Sequence, residues 1–226
     1  MQRSRSGIIG TRLRMTCVFA CLSLLATSMP QAAESAASVA SPELNVAGKS
    51  QAQWSEEWWK WAASFDDDES PIIDRSGDLC ASGQQGSVWF LAGVYGSAPV
   101  KRECTIPADK WIFFPIVNYV VASASGCAAA VETAREYTDD PEELTLIIDG
   151  ERIEHVERHR FPTPCFSLDA DEESDESFVA ANGYFIMLKP LSPGHHTIKW
   201  GGILKTLRQA VVYDLAVAPR LRDVTL

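Results

Sequence analysis

Three observations predict a mainly β chain, a jelly-roll-like antiparallel β-sandwich carrying an N-terminal tryptophan-rich helix and one further short helix. About eight short runs rich in Val, Ile, Phe, Tyr and Trp recur between turns containing Gly or Pro. Helical patterning is confined to two stretches, 50–65 and 127–137. Four cysteines spread between Cys80 and Cys165 suit a disulfide-bonded β domain. A β-barrel is the structural alternative.

The chain of 226 residues opens with Arg3, Arg5, Arg12 and Arg14, then an apolar run from Met15 to about Leu25, then small residues up to Ala33. That is the layout of a secretory signal peptide, so residues 1–33 are expected to be removed and the protein to be secreted or periplasmic. Without them, 16 basic side chains face 30 acidic ones, a net charge of about −14. Nucleic acid and anionic membrane are poor partners for such a surface, and no membrane insertion is expected after cleavage. Residues 34–47 are small and polar without periodicity and read as a flexible leader. Residues 48–226 are enough for a single domain.

Ser50 and Gln53 form a capping-box pattern, which starts the first helix at about Gln51. At roughly 100° per residue, Trp54, Trp58, Trp61 and Phe65 share one face, opposite Glu56, Lys60 and Ala63. That face is expected to be core. Trp59 lies off the stripe and is a candidate stacking platform for a flat ligand such as a sugar ring. Asp66 to Pro71 ends the helix, since proline cannot continue it. The acidic run there lacks the glycine and glutamate positions of a calcium loop.

Ser87–Tyr95 and Val100–Pro107 around the turn Gly96–Pro99 read as a first hairpin. Trp111–Asn118 is apolar on both faces, and Pro115 puts it at an edge or a bulge. Cys127 to about Tyr137 is the second helix. A second hairpin spans Leu144–Ile153, with Asp149–Gly150 as its turn. Phe161–Leu168 reads as a short strand and 169–176 as an acidic loop. A third hairpin joins Gly183–Pro190 to His195–Gly201, and Gln209–Val217 closes the fold.

Cys17 and Cys21 leave with the signal peptide, and the remaining four allow three disulfide connectivities. Cys80 and Cys104 flank the first hairpin and are paired on that ground. Cys127 then pairs with Cys165 by elimination. No C-x-x-C spacing supports zinc.

The segments WSEEWWKW, GQQGSVWFLAG, CTIPADKWIFFPIVN and LSPGHHTIKWGG resemble a family of uncharacterised bacterial secreted proteins. The resemblance implies a shared fold and export but no chemistry. It marks Trp58, Gln85, Trp89, Lys110, Asn118 and His196 as positions of interest. Asp109 stands where the turn would more often carry glycine.

No nucleophile elbow, zinc helix, phosphate loop or dinucleotide fingerprint is present, so no cofactor is expected. His155 and His159 could share a metal on a helix, but on a strand they would stand about 13 Å apart. His195 and His196 point to opposite faces of a strand, and His196 reads either as a hydrogen-bonded structural histidine or as part of a site. Gln85, Lys110 and Asn118 are polar residues among apolar neighbours, which describes ligand pockets as well as loop ties.

The leading expectation is an exported, non-catalytic binding protein for a carbohydrate or cell-envelope ligand. Trp59 with Trp89 or Trp200 would supply apolar surface, and Asp74, Gln85 and Asn118 polar orientation, with Lys110 and His196 as further candidates. A secreted hydrolase or lyase is the alternative, with Asp74 and Glu103 as carboxylates and His196 as base. A structural envelope protein is the third.

Overall fold

The structure is a computed structural model describing residues 39–168 and 178–219. The expected signal peptide, the start of the leader and the acidic loop 169–176 lie outside the described residues. In chain order the elements are α1 (Gln51–Ala63), β1 (Val88–Phe90), β2 (Val100–Pro107), β3 (Trp111–Ala122), α2 (Cys127–Thr138), β4 (Glu143–Ile148), β5 (Glu151–Arg152), β6 (Phe166–Ser167), β7 (Phe178–Leu188), β8 (Gly194–Ile203) and β9 (Arg208–Ala218). A single 3-10 turn lies at Val156–Arg158.

The strands form two packed sheets, a four-stranded one ordered β1-β3-β7-β6 and a five-stranded one ordered β2-β9-β8-β4-β5. The way side chains are covered separates them. Val179–Leu188 of β7 and Ile112–Val117 of β3 are buried on both faces. β2, β8 and β9 alternate buried with exposed positions. The four-stranded sheet is therefore the middle layer. One face carries α1, whose Trp58 meets Phe185 edge to face while Phe185 stacks on Phe113. The other face packs on the five-stranded sheet, where Phe114 lies 4.4 Å from Trp200 and Trp200 stacks on Tyr213. The far face of the five-stranded sheet stays open to solvent, which is what alternation signifies.

The β-sandwich holds, but its sheets are mixed. β1 pairs in parallel with β3, and β2 in parallel with β9, where an all-antiparallel jelly roll was expected. The first and third expected hairpins do not form. β1 and β2 belong to different sheets, and so do β7 and β8. The reason lies in the covering: a run buried on both sides cannot be the hairpin partner of one that alternates. The second hairpin forms as expected. Asp149 and Gly150 both take positive φ, 51° and 87°, as a two-residue type I′ turn requires. β8 and β9 form a long antiparallel hairpin instead. Pro115 sits at an irregularity in the β3–β7 register, the bulge its missing N–H called for.

α1 begins with the full capping box: the Ser50 hydroxyl accepts from the Gln53 amide, and the Gln53 side chain accepts from the Ser50 N–H. Residues 39–47 are not a loose leader. Val39 bridges to Leu188, the Ala40 N–H donates to the Met187 carbonyl at 2.8 Å, and Trp54 Nε1 donates to the Val46 carbonyl at 2.9 Å. Val39 and Ala40 thus cover the end of the outer edge of β7 at Met187 and Leu188, while residues 159–163 and β6 pair with the rest of it. Asp109 takes φ 71° in the turn between β2 and β3, the conformation glycine adopts most readily.

Both disulfides are formed, Cys80–Cys104 and Cys127–Cys165. The first does not staple a hairpin. It fastens the loop 70–80 along β2, where Gly77 lies so close that a Cβ would stand 2.0 Å from the Glu103 carbonyl oxygen.

That loop is held from inside by Arg102, which is 1% exposed. Its Nε donates to the Asp74 carbonyl at 2.7 Å and its Nη2 to the Ile72 carbonyl at 2.9 Å. Its Nη1 reaches the Ala92 carbonyl at 2.7 Å, the Gly93 carbonyl at 2.9 Å and the Tyr213 hydroxyl at 3.1 Å. No salt bridge to Arg102 forms among the described residues. Carbonyl dipoles and a phenol therefore stabilise the buried charge. Burial pushes the Tyr213 hydroxyl pKa up, with the guanidinium opposing, so the phenol keeps its proton and also accepts from the Ala92 N–H at 3.2 Å.

Arg102→Met is expected to cost on the order of 3 kcal/mol or more, because four loop carbonyls lose their donor. Arg102→Lys should recover little, since an ammonium lacks the planar fork. Urea unfolding checks both, and a midpoint unchanged in either variant would count against the role given to this side chain.

Candidate functional site

Where β1 ends, the chain leaves the sheet. β1 covers only Trp111–Phe113 of its side of β3, so the rest of that β3 edge has no strand beside it among the described residues. Gln209 takes the place of a strand for two residues. Its Nε2 donates to the Pro115 carbonyl at 3.1 Å and to the Ile116 carbonyl, while its Oε1 accepts from the Val94 N–H at 3.2 Å. Gly93 leaves room for this carboxamide, since a Cβ there would stand 2.8 Å from the Gln209 Oε1 and displace it.

Just past Gln209 a pocket of about 240 Å³ opens between α1, the segment after β1 and the free β3 edge. Trp58, Trp59 and Ile72 form one wall, Gly93, Val94 and Tyr95 a second, and Asn118, Tyr119 and Val120 a third, with Leu207 and Gln209 at the end. Its walls are placed by interactions already described. Arg102 fixes Ile72 and Gly93 through their carbonyls, Trp58 Nε1 donates to the Leu91 carbonyl at 3.0 Å, and Gln209 fixes Val94. Gly183 makes room for Asn118 across the sheet, where an added Cβ would lie 2.5 Å from the Asn118 Cβ. Tyr119 stacks on Tyr137 of α2, and Tyr95 stands at the rim, 64% exposed.

Two polar groups in this wall lack partners. Trp59 is 7% exposed and packs edge to face on Trp58 at 5.1 Å, yet its Nε1 makes no hydrogen bond among the described residues. The same is true of the buried Asn118 Nδ2. A buried donor left without an acceptor costs about 1–3 kcal/mol, and both nitrogens lie beneath the pocket wall, out of reach of solvent. Among the described residues no Asp, Glu, Lys, Arg or His lines the pocket. Its lining is mostly apolar and aromatic, with Tyr95, Tyr119, Asn118 and Gln209 as the polar side chains.

The sequence-predicted residues divide accordingly. Trp59 and Asn118 both line the pocket, and Trp59, largely buried, meets Trp58 edge to face. Trp89 and Trp200 are buried in the core between the sheets, their Nε1 atoms also unpartnered. Gln85 is exposed, and its neighbour Gln84 does the tying instead, donating to the Cys80 and Phe90 carbonyls at 3.0 and 2.9 Å. Lys110 donates to the Gly86 carbonyl. Asp74 serves its own loop: burial works to raise its pKa, but the amides of Leu79, Ser76 and Gly77 and the Ser76 hydroxyl outweigh it and hold the carboxyl below its usual range. Glu103 is exposed on β2 and lines, with His196 and Asp214, a separate recess on the five-stranded sheet rather than this pocket.

His196 has both ring nitrogens engaged, Nδ1 with Asp149 Oδ2 at 2.7 Å and Nε2 with the Ser192 carbonyl at 2.9 Å. Asp149 Oδ1 also accepts from the Thr197 N–H, so the trio locks the β4–β5 turn to β8. His155 and His159 flank the 3-10 turn rather than lying on a strand, His155 exposed and His159 buried. No group of three or more His, Cys, Asp or Glu able to hold a metal ion occurs among the described residues. Tyr95, Leu207 and Gln209 went unnoticed in the sequence. Gln209 alone carried a signal, as a polar residue beginning an apolar strand.

His159, 8% exposed, has its pKa lowered chiefly by burial, with Glu43 and Glu157 pulling the other way. The unfolded chain therefore takes up that proton first as pH falls. The stability tied to neutral His159 is complete above about pH 6.5 and is lost as pH drops below it. Urea midpoints at pH 7.5 and 5.5 should fall less in His159→Phe than in the parent. An equal fall would assign the acid sensitivity elsewhere.

No family model matches the chain, and no curated protein matches it. Among solved structures it is similar to the solution structure of Amebosin at 7% identity, across 53% of this chain and 98% of that one, with a TM-score of 0.19. That likeness carries no argument, and the functional reading rests on the pocket.

Proposed function

We propose that this protein is an exported binding protein for a neutral carbohydrate or cell-envelope ligand, and that it holds this ligand without turning it over. The observation that carries the reading is one small pocket walled by Trp58, Trp59, Tyr95 and Tyr119, with the Asn118 and Gln209 amides beside them and no charged side chain in its lining among the described residues. Apolar walls with a few fixed polar groups are the usual composition of small-ligand sites. Pocket volume and chemistry suit a single sugar ring or a substituent of one. The lack of a carboxylate, histidine or lysine in the lining supports binding over acid–base catalysis, which needs such groups within reach of the reacting atoms.

Export is supported by the two disulfides, which persist in oxidising compartments, and by the leader pattern of residues 1–33. Among the described residues no helix is long and apolar enough to cross a membrane.

Titrating the oxidised protein with neutral oligosaccharides should give a saturable change in tryptophan fluorescence. Tyr95→Ala removes the exposed ring at the rim of the pocket, and it should weaken that binding about five- to tenfold without shifting the unfolding midpoint by much. A folded protein that responds to no neutral sugar would overturn the proposal.

A further inference from the structure

The two disulfides stand in different surroundings. Cys80 and Cys104 are 9% and 5% exposed, buried where the loop 70–80 lies along β2. Cys127, by contrast, is exposed, and its partner Cys165 is half-buried. An incoming sulfur must reach the one it attacks, so access separates the two bonds, and exposed disulfides are the labile ones.

Cys127 is also the first residue of α2, a helix of 12 residues whose N-cap, Gly126, has no side chain to accept from the first-turn amides. That end of a helix stabilises negative charge and favours a thiolate placed there. Cys165 precedes the two-residue strand β6 and lies at no helix end. In exchange the sulfur better able to carry the charge leaves faster, and that sulfur is Cys127.

Opening the bond leaves α2 seated. Arg160 meets Asp139 at 2.6 Å and donates to the Thr138 hydroxyl at 2.9 Å and to the Arg135 carbonyl at 3.0 Å. The Tyr184 hydroxyl donates to the Thr138 carbonyl at 3.3 Å, Tyr137 stacks on Tyr119, and Ala130 and Ala134 are fully buried. These contacts hold the helix from Ala130 onward, while the disulfide holds its first turn.

We propose that Cys127–Cys165 is a thiol-exchange site open to a low-molecular-weight thiol, with Cys165 as the sulfur attacked and Cys127 as the leaving thiolate. The incoming thiolate forms a bond to Cys165 Sγ, the bond to Cys127 breaks, and its electron pair stays on Cys127 Sγ. The thiol is oxidised to the mixed disulfide as Cys127 is reduced, so no further oxidant enters. Cys127, kept near by the seated helix, then attacks Cys165 in turn and expels the thiol, which makes the modification reversible.

The oxidised protein is treated with 2-mercaptoethanol, an uncharged thiol insensitive to the acidic surface, quenched with iodoacetamide and mapped by peptide mass spectrometry. Cys127–Cys165 should open about tenfold or more faster than Cys80–Cys104, with the mercaptoethanol adduct on Cys165 and the alkyl group on Cys127. In concentrated urea, where neither helix nor burial remains, both preferences should be lost. Equal rates in the folded protein, or faster opening of Cys80–Cys104, would overturn the site. An adduct chiefly on Cys127 would overturn the assigned direction. Preferences that persist in urea would place their cause in the local sequence and overturn the role given to the helix and to burial. The adduct should still unfold cooperatively, and loss of that transition would overturn the reversible opening.

Discussion

Arg102 is the constraint on which this arrangement depends. A guanidinium so deeply buried must find hydrogen-bond acceptors in fixed directions, and here it finds them in the carbonyls of two loops, 72–74 and 92–93, and in Tyr213. Neither loop has sheet partners for these carbonyls, so without the arginine they would be buried and unpaired. The charge and the carbonyls thus require each other. Because Arg102 lies on β2 and Tyr213 on β9, the loops are anchored to a parallel strand pair of the outer sheet. The position of the pocket between loops and middle sheet follows from that anchoring.

The pocket is also a consequence of how β3 is covered. β1 is only three residues long, and the chain then turns away under the Trp58–Leu91 and Arg102 contacts. This leaves an edge that Gln209 satisfies for two carbonyls and no further. An uncovered edge inside an apolar recess is costly unless something pairs with it. The recess carries no charged side chain among the described residues, although the chain as a whole is acidic.

Much of the fold was legible from residue pattern. The capping box at Ser50 and Gln53 located α1 to the residue, Asp149–Gly150 identified its hairpin, and Pro115 announced the bulge in β3. The β-sandwich followed from strand number and turn spacing. Strand pairing did not, although a clue was present: Val88–Val94, Trp111–Val117 and Gly183–Leu188 are continuously apolar, while Val100–Pro107 and Arg208–Ala218 alternate. Continuous runs belong to the sheet covered twice and alternating ones to the sheet covered once, so adjacent runs of different kind do not make a hairpin. The Cys80–Cys104 bond was correctly paired although its supposed hairpin does not exist. The cysteines meet because Gly77 allows the loop to lie against the backbone of β2.

Of the candidate site, Trp59 and Asn118 were visible as residues out of keeping with their neighbours, one off its helical stripe and one polar in an apolar strand. Their meeting was not visible, since 58 intervening residues and a change of layer separate them. Gln85, Lys110, Asp74 and His196 looked equally suggestive, yet their hydrogen bonds or exposure give them other places. Local sequence determined the helices, the turns, the bulge and the alternation of each strand, because caps, φ preferences and side-chain period act within a few residues. Only the tertiary structure decided which strands pair, what covers each face, and which polar groups remain without a partner. Those outcomes depend on burial and on acceptors contributed from distant parts of the chain.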